Sequence, residues 1–514
     1  MKKLLWIIGL VMLAGCTSAS HDASEVSVPS AWTNPSATVN DASVQIRWWE
    51  QFNDTTLNNL VQAAVAQNLD LKIAKTRIRA ARAQLLATKA SFLPDINGSA
   101  SIGKTRGSTR TGAGALGGGE RDLYDIGLDS TWEFNVFGIS PAIEAADATL
   151  QSEKENEQGV LLSLLGEVAQ NYIELRRLQN ALAVTDQSIA AYKASLDITD
   201  ARLNAGLVSA LDSSRAETAL QTQLAERPEL VSQINAAIRR IEVLLGQNPG
   251  TLDATLATPA AIPFAGSPML LATPAAVIAN RPDVRAAEQD LIASNATKRV
   301  ATAQYFPSLS LPAAFGWQAD RGGDLFSSGA QAWSFAGMVK LPIFDFGRIR
   351  ADVQLTDANA EAAFLQYQKS VQGALSDVET ALSDYLASVN RSAQLNRAVQ
   401  TSQTTVDLSE TRYKNGLVSY LDVAEAQKSL YMAQQSAIQN QANVASRLVT
   451  LYKAMGGGWQ NTATSTAAAP AIPEPVIQPA AAPVPQNNVV LQPAVDTRPN
   501  APRVNAADGM MVIE

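Results

Sequence analysis

The chain is poor in the residues on which most enzyme chemistry depends. Among its 514 residues there is one cysteine, Cys16, and one histidine, His21. A single cysteine excludes an intrachain disulfide and a thiolate metal cluster, and a single histidine leaves little room for imidazole acid–base catalysis. No nucleophile–base pair stands out elsewhere, so the sequence predicts a protein that is not an enzyme and that needs no metal or cofactor.

Charged and aromatic residues are also scarce. Asp, Glu, Lys and Arg make up 17% of the chain, Phe, Trp and Tyr make up 6%, and the net charge is −8. A negative chain has no electrostatic basis for binding a phosphate backbone, which argues against nucleic acid as a partner. The abundant residues, mainly Ala, Gln, Ser and Leu, favour long helices with small-residue contacts.

The N-terminus accounts for the lone cysteine. Met1-Lys2-Lys3 precedes a short apolar run at 4–13, which is the pattern of a secretory signal and is too short to span a membrane. Leu-Ala-Gly-Cys16 follows and resembles the cleavage site of bacterial lipoproteins, so we expect residues 1–15 to be removed and Cys16 to carry a lipid. The alternative is an ordinary signal peptide with an incidental cysteine. One acyl chain binds a membrane weakly, so stable residence needs a second signal.

One motif occurs twice. Arg-x-x-x-Gly-Leu-Val-Ser-x-Leu-Asp spans residues 202–212 and again 412–422, 210 residues later. Similarity continues on both sides at spacings of 209, 210 and 213 residues, so it covers about 57–246 and 273–456. Repeats this long indicate duplication of a whole structural unit rather than a short-repeat solenoid.

The repeats divide the chain. The other segments are a signal peptide at 1–15, a lipidated extended segment at 16–56, a linker at 247–272 and a tail at 457–514. The tail is rich in Ala and Pro, cannot form a packed core and is therefore expected to be disordered.

Each repeat contains a long helical hairpin. In the first repeat a heptad predicts one helix of about 66 residues, or roughly 100 Å, that packs against partner helices along its length. The heptad residues are Leu161, Val168, Leu175, Leu182, Ile189, Leu196 and Leu203. Gly206 suits the left-handed position that ends a helix, and Ser209 suits the cap of the next one. A coiled-coil stalk and the wall of a long tube both fit this pattern.

Each repeat also contains a strand hairpin, at about 95–134 and 308–343, which a shorter helix precedes. The helices are expected at Thr56–Ala90 and Asp283–Ala303, and the strands at Asp95–Gly103, Tyr124–Phe134, Ser308–Trp317 and Trp333–Ile343. Each strand has about the length with which a tilted strand crosses a bilayer. Four strands cannot close a barrel, and lipid does not tolerate an open edge, so a membrane location requires two or three chains to pool their strands. A soluble sheet packed on the helices is the alternative.

Together these features resemble the TolC-like outer membrane factors, in the lipoprotein branch of the OprM or NodT type. The motifs that carry the resemblance are Leu-Ala-Gly-Cys16, Arg47-Trp48-Trp49, Trp132-Glu-Phe-Asn-Val-Phe-Gly138, Arg281-Pro-Asp283, Tyr305-Phe-Pro307, Leu341-Pro-Ile-Phe-Asp-Phe-Gly347 and both Gly-Leu-Val-Ser turns. The resemblance implies a mixed α/β membrane protein with an internal two-fold repeat. It implies a homotrimer whose twelve-stranded β-barrel, with four strands per chain, sits among outer membrane lipids and continues into a periplasmic α-helical barrel.

The function implied is a passive exit duct for drugs or small solutes. An inner-membrane pump of the RND type would feed it through a periplasmic adaptor, also called a membrane fusion protein. A protein-export duct of the same family is one alternative, and a periplasmic coiled-coil lipoprotein without a pore is another.

The resemblance also assigns roles to the two turns, which it places at the periplasmic tip. The residues expected to dock the adaptor are Arg202, Gly206, Leu207, Val208, Ser209, Leu211, Arg412, Gly416, Leu417, Val418, Ser419 and Leu421. Asp212 and Tyr413 are expected to form a hydrogen-bonded latch that holds the tip closed. Asp422 and Glu425 are expected to line its narrowest point.

Helix geometry supports the acidic pair independently. Asp422 and Glu425 are three residues apart in a first helical turn and share a face. In a trimer they would bring six carboxylates to one axis, a ring that favours cations. The alternative is that these acids only offset the helix dipole, which suffices for Asp212 because Arg215 stands where the second copy has Glu425. The difference predicts that only the second hairpin lines the constriction.

One departure from the family pattern concerns the start of the first long helix. The family usually has Arg after Phe-Gly, as in Arg348, but Ile139-Ser-Pro141 follows Gly138 here. We therefore expect the two long helices to start differently.

Overall fold

The computed structural model describes residues 26–33, 47–106, 120–264 and 271–458. Cys16, the signal segment and the tail beyond residue 458 lie outside these residues, so lipidation and tail disorder stay predictions. Within the described ranges the chain forms one antiparallel sheet, a group of shorter helices and two long helical hairpins.

The first repeat begins with a 3-10 turn at Trp48–Phe52, then α1 (Thr55–Gln67) and α2 (Leu69–Ala90). The prediction of a single helix over 56–90 is wrong, because the helix is interrupted at Asn68. This side chain accepts a hydrogen bond from the Leu71 N–H (2.8 Å) and donates one to the Leu244 carbonyl (2.9 Å). A side-chain cap therefore ends α1 and starts α2 at the same residue.

The sheet has a fourth strand that is interrupted. Its strands are β1 (Asp95–Arg106), β2 (Glu120–Phe134), β3 (Ser308–Ala319), β4 (Gln331–Phe335) and β5 (Met338–Lys340). The order is β1-β2-β3-β4, every pairing is antiparallel, and β5 also pairs with β3. The strand predicted over 333–343 thus breaks at 336–337 and ends before Pro342, which has no N–H to donate.

The remaining helices build the two hairpins and the segment that joins them. They are α3 (Val136–Asn204), α4 (Ala210–Leu244), α5 (Asp253–Leu256), α6 (Pro274–Asn280), α7 (Pro282–Ala303), α8 (Arg348–Lys414) and α9 (Tyr420–Ala454). With 69 residues, α3 is roughly 100 Å long, which confirms the predicted rod. None of the described helices combines the length and the apolarity that a membrane crossing requires.

The internal repeat is visible in the element lengths and in the strand register. Helices α2 and α7 both have 22 residues, β1 and β3 both have 12, and α4 and α9 both have 35. Asp95 lies opposite Thr131, and the equivalent residues of the second repeat, Ser308 and Lys340, also lie opposite each other. The repeat therefore extends from the sequence to the backbone pairing.

The two long helices start differently, as predicted. Asn135 caps α3 by accepting a hydrogen bond from the Phe137 N–H (3.0 Å), so Phe137 and Gly138 belong to the first turn. By contrast, α8 starts only after Gly347, which has a left-handed φ of +89°. Asp345 accepts hydrogen bonds there from the N–H groups of Gly347 (3.0 Å) and Ile349 (2.7 Å).

The main core lies at mid-length of the two long helices, beside the C-terminal parts of α4 and α9, and includes the segment before α1. The Trp48 ring stacks on Tyr452 of α9 at 5.7 Å. The Tyr172 hydroxyl of α3 donates a hydrogen bond to Asp54 Oδ2 (2.7 Å). Burial, with this contact to Asp54, raises the pKa of Tyr172 to about 12. The segment thus ties the two hairpins together.

The predicted heptad is buried only in its first half. Leu161, Val168 and Leu175 are core residues, but the heptad positions nearer the tip are only half-buried. In that half three of the buried residues of α3, Thr185, Tyr192 and Thr199, lie three positions later, and Ser195 is buried beside them. The reason is that the second hairpin covers this neighbouring stripe and leaves the aliphatic one partly open within a single chain.

Candidate functional site

Both hairpins turn in the same way at their tips. Gly206 and Gly416 have φ values of +70° and +71°, the left-handed conformation that favours glycine. The Leu207 N–H donates a hydrogen bond to the Arg202 carbonyl, and the Leu417 N–H donates one to the Arg412 carbonyl, both at 2.9 Å. These 6→1 bonds, with the glycines, form a Schellman motif that ends α3 and α8.

The acid of each turn caps the following helix. Asp212 Oδ2 accepts hydrogen bonds from the Ser209 N–H (3.3 Å) and hydroxyl (3.0 Å). Asp422 Oδ2 accepts the same pair from Ser419, at 3.0 and 2.8 Å. Capping thus occupies one oxygen of each carboxylate and leaves Oδ1 of each without a further bond among the described residues. Glu425, one turn later, is exposed.

The two arginines of the duplicated motif have different surroundings. Arg202 reaches across to the second hairpin, where its guanidinium lies 4.7 Å from the centre of the Tyr413 ring and donates a hydrogen bond to the Tyr413 carbonyl. Its equivalent, Arg412, is exposed. The family resemblance predicts that both dock the adaptor. Nothing in the repeated motif distinguishes the two arginines, because the contact of Arg202 comes from the other hairpin.

Tyr413 is buried between the hairpins rather than bonded to Asp212. Its hydroxyl shares a hydrogen bond with Thr199 Oγ1 (3.2 Å), and no hydrogen bond joins it to Asp212 among the described residues. Its ring lies 6.0 Å from that of Tyr420, in a small apolar cluster with Val423. Burial raises the pKa of Tyr420 to about 12. Within one chain the structure therefore joins the hairpins through Arg202 and Thr199.

A cavity of about 560 Å³ lies between the two turns. Both copies of the motif line it, including Asp212 and Tyr413. The leucines beside it face outward: Leu207 is 68% exposed and Leu417 is 72% exposed, and Leu211 and Leu421 are also exposed, while Val208 and Val418 are half-buried. The tip is an open notch with an apolar rim.

Above this notch the hairpins meet through polar side chains, which the sequence did not reveal as a group. The amide of Gln427 donates a hydrogen bond to Ser195 Oγ (2.8 Å). The hydroxyl of Tyr431 donates one to Glu226 Oε2 (2.6 Å) and shares another with Thr185 Oγ1 (3.1 Å). Polar groups that separate can bond to water instead, so this interface opens at a lower cost than an aliphatic one. In the sequence, this interface could have been recognised from glutamine and hydroxyl residues at helix positions where a core normally has apolar side chains.

The site presents surfaces for binding. No group of three or more His, Cys, Asp or Glu side chains is placed to hold a metal ion in the described part of the chain. The site instead offers an apolar rim, exposed carboxylates and a polar interface between the hairpins.

Comparison with known proteins identifies relatives over most of the chain. The protein family described as "Outer membrane efflux protein" matches residues 60–247 and 273–457. Nodulation protein T of Rhizobium leguminosarum bv. trifolii is 31% identical over 465 residues, which are 88% of this chain and 97% of that protein. The solvent efflux pump outer membrane protein SrpC of Pseudomonas putida is 30% identical over 470 residues, or 89% of this chain and 98% of SrpC.

A solved structure is similar at the level of the fold. The outer-membrane channel OprN superposes with a TM-score of 0.79 and 31% identity, and the match covers 84% of this chain and 97% of that chain.

Proposed function

Because the chain belongs to the outer membrane efflux protein family and is the outer membrane channel component of an efflux pump, we propose that three copies of it enclose one continuous duct. The strands form a barrel of twelve strands in the outer membrane, and the long hairpins form the tunnel that continues into the periplasm. The duct performs no chemistry, and the pump supplies the energy.

The unpaired edges of the sheet carry this proposal. In the described chain β1 pairs only with β2, and no described strand pairs with the outer side of β4 and β5. Free edges are not stable in lipid, so each copy needs a neighbour on both sides. Two copies would give an eight-stranded barrel, whose interior is filled by side chains, whereas twelve strands leave a passage.

The internal repeat specifies how neighbouring copies pair. Strands β2 and β3 meet at the junction of the two repeats, where Phe134 lies opposite Leu309. The equivalent residues at the junction of two copies are Ile343 and Ile96. They are 85% and 68% exposed in one chain, so two apolar side chains become cross-strand neighbours.

A disulfide tests this pairing. The double variant Ile96→Cys/Ile343→Cys, purified and oxidised, is expected to give covalent trimers on a denaturing gel. The control pairs Ile96→Cys with Val339→Cys, four residues and roughly 13 Å out of register. Each single variant retains Cys16 and reports any pairing with it. Dimers alone, or equal cross-linking by both pairs, would contradict a trimer with this register.

The cargo is proposed to be drugs or other small solutes. Relatives are named for solvent efflux, antibiotic efflux and pyoverdine export, all of which concern small molecules. Small-molecule cargo is therefore favoured over protein export. Deletion of the gene, with the pump still expressed, is expected to lower the tolerated concentration of several toxic compounds, and unchanged tolerance of all of them would contradict the proposal.

The hairpin tips are proposed to dock a periplasmic adaptor that connects the duct to an inner-membrane pump of the RND type. The exposed leucines of the two turns, six turns in a trimer, supply the apolar contact. Asp422 and Glu425 form the charged constriction, and Glu425 carries more of it because its carboxylate is not a helix cap. Asp212 and Tyr413 remain a proposed latch, which has to form between copies because the chain does not form it internally. Cys16 is proposed to hold the lipid that adds a second anchor to the barrel.

A further inference from the structure

Helix α2 carries a basic stripe, which we define as Lys72, Lys75, Arg79, Arg82 and the terminal Leu86. Their spacing of three and four residues in alternation places all five on one face of the helix. All five are exposed. None of the four cations forms a salt bridge to a described residue, although Lys75 lies near enough to Glu157 of α3 to offset part of the rise that burial causes in the pKa of that carboxyl. A row of like charges on one face repels itself, so a surface of this kind favours an acidic partner.

The second repeat shows what the equivalent surface does. The residues of α7 that lie 213 positions later are Arg285, Glu288, Ile292, Asn295 and Arg299. Four of these are half-buried because α3 covers them. Arg285 forms an ion pair with Glu155 of α3 (2.6 Å), and Arg299 forms one with Glu144 of α3 (2.5 Å). In the second repeat this face is thus a contact between helices.

The internal repeat also indicates which surface would receive the basic stripe. The α3 face that receives α7 corresponds, 210 residues later, to Gln354, Ala358, Glu361 and Leu365 of α8. These four residues are all exposed, whereas their α3 equivalents are buried or half-buried. Within the described chain α2 packs on α3, α3 on α7 and α7 on α8. The contact between α8 and α2 is the one that a single copy lacks.

We propose that the basic stripe of α2 docks on α8 of a neighbouring copy and that Glu361 is its acidic counterpart. The inference rests on the proposed trimer and adds a helical contact below the strand edges. The α3–α7 contact sets the register: Leu365 of the neighbouring copy lies near Lys72, and Gln354 lies near Leu86. Glu361 then falls between Lys75 and Arg79, one helical turn apart, where both can reach it.

The chemistry of the stripe favours a protein helix over an anionic lipid or polymer. Leu86 at one end is 56% exposed, and Leu365 at the opposite end of the partner surface is 55% exposed. A phosphate surface offers only charge, whereas the α8 surface places one carboxylate, Glu361, among the cations and two apolar side chains, Ala358 and Leu365, where they can pack on the aliphatic stems of the basic side chains.

Charge reversal tests the pairing. Glu361→Lys is expected to shorten the lifetime of the trimer in detergent about tenfold or more, because it places like charges face to face. Adding Lys75→Glu and Arg79→Glu to that variant is expected to restore the lifetime to within a few-fold. Asp290→Lys, a reversal at an exposed position of α7 outside the contact, is the matched control. If Glu361→Lys does not fold, Glu361→Gln with the same assay replaces it. An unchanged lifetime, or no rescue, overturns the inference.

Cysteine pairs test the register. Leu86→Cys with Gln354→Cys is expected to cross-link neighbouring copies, and Leu86→Cys with Leu365→Cys, eleven residues or about 16 Å away, is not. If neither pair cross-links while Ile96→Cys/Ile343→Cys still gives trimers, this inference fails and the trimer stands. If that strand pair also fails to cross-link, the proposed trimer itself is contradicted. Lys75→Glu/Arg79→Glu that keeps the trimer lifetime but loses binding to phosphatidylglycerol vesicles would assign the stripe to lipid and overturn the inference.

Discussion

Replacing Arg202 is expected to open the tip, whereas the same change at Arg412 is not. In Arg202→Gln the chain loses the contact with the Tyr413 ring and the charged hydrogen bond to the Tyr413 carbonyl. A cation–π contact at a partly exposed site contributes about 0.5–1 kcal/mol, and a hydrogen bond from a charged donor about 1.5–3 kcal/mol. Because Arg202 is only half-buried, we take about 2 kcal/mol for the two together.

That free energy acts only while the hairpins are together. Losing it shifts the balance between closed and separated hairpins by roughly 30-fold. The measurement is the open probability of single channels in planar lipid bilayers, which is expected to rise strongly in Arg202→Gln. Arg412→Gln removes the same charge from an exposed position with the same local sequence, so it controls for net charge and for the turn.

Two results would refute the reasoning. One is an unchanged open probability in Arg202→Gln when the trimer and its helix content are intact. The other is an equal rise in both variants, because that would attribute the effect to charge at the tip rather than to the contact between hairpins.

Three further predictions follow from the site and the fold. Glu425→Gln is expected to lower the cation preference of the channel without changing its stability. Asp422→Asn is expected to lower the cation preference as well, and also the Tm, because it weakens a helix cap by about 1 kcal/mol. Unchanged ion selectivity in both variants would show that these acids do not line the constriction. Gly316→Ala is expected to abolish assembly into heat-modifiable barrels on gels, because its Cβ would clash with the Ile126 carbonyl oxygen. Gly103→Ala, whose Cβ would have no described atom within 4 Å, should assemble normally. Burial raises the pKa of Tyr172, Tyr420 and Tyr452 from 10.0 to about 12, so the unfolded chain loses these protons first. The free energy of unfolding should therefore hold up to about pH 10 and fall between about pH 10 and 12, as measured by denaturant titration, and a flat profile would contradict the burial of these phenols.

The parts of the structure that depend on local chemistry were predictable from the sequence. Gly206 predicts the end of one helix and Ser209 predicts the N-cap of the next, and the structure has both at these residues. The alternation of apolar and polar residues in 124–134 predicts a strand and the side chains that share a face. The structure confirms this strand as β2, which starts four residues earlier than predicted. These features require no knowledge of the rest of the chain.

Contacts between distant segments were not predictable in this way. Arg202 and Arg412 have the same local sequence and different surroundings, since only a neighbouring hairpin distinguishes them. The hydroxyl of Tyr413 bonds to Thr199, 214 residues away, and no periodicity reports such a pairing. The break at Asn68 likewise depends on the Leu244 carbonyl, 176 residues along the chain.

The tight turns have a mechanical consequence. Only Leu207 and Val208 separate the glycine that ends α3 from the serine that caps α4, and the second hairpin has the same arrangement. Because the connection is this short, one helix cannot rotate about its axis without rotating its partner, so the two helices of a hairpin move together. A two-residue insertion at the turn would leave both helices folded but would uncouple their rotations.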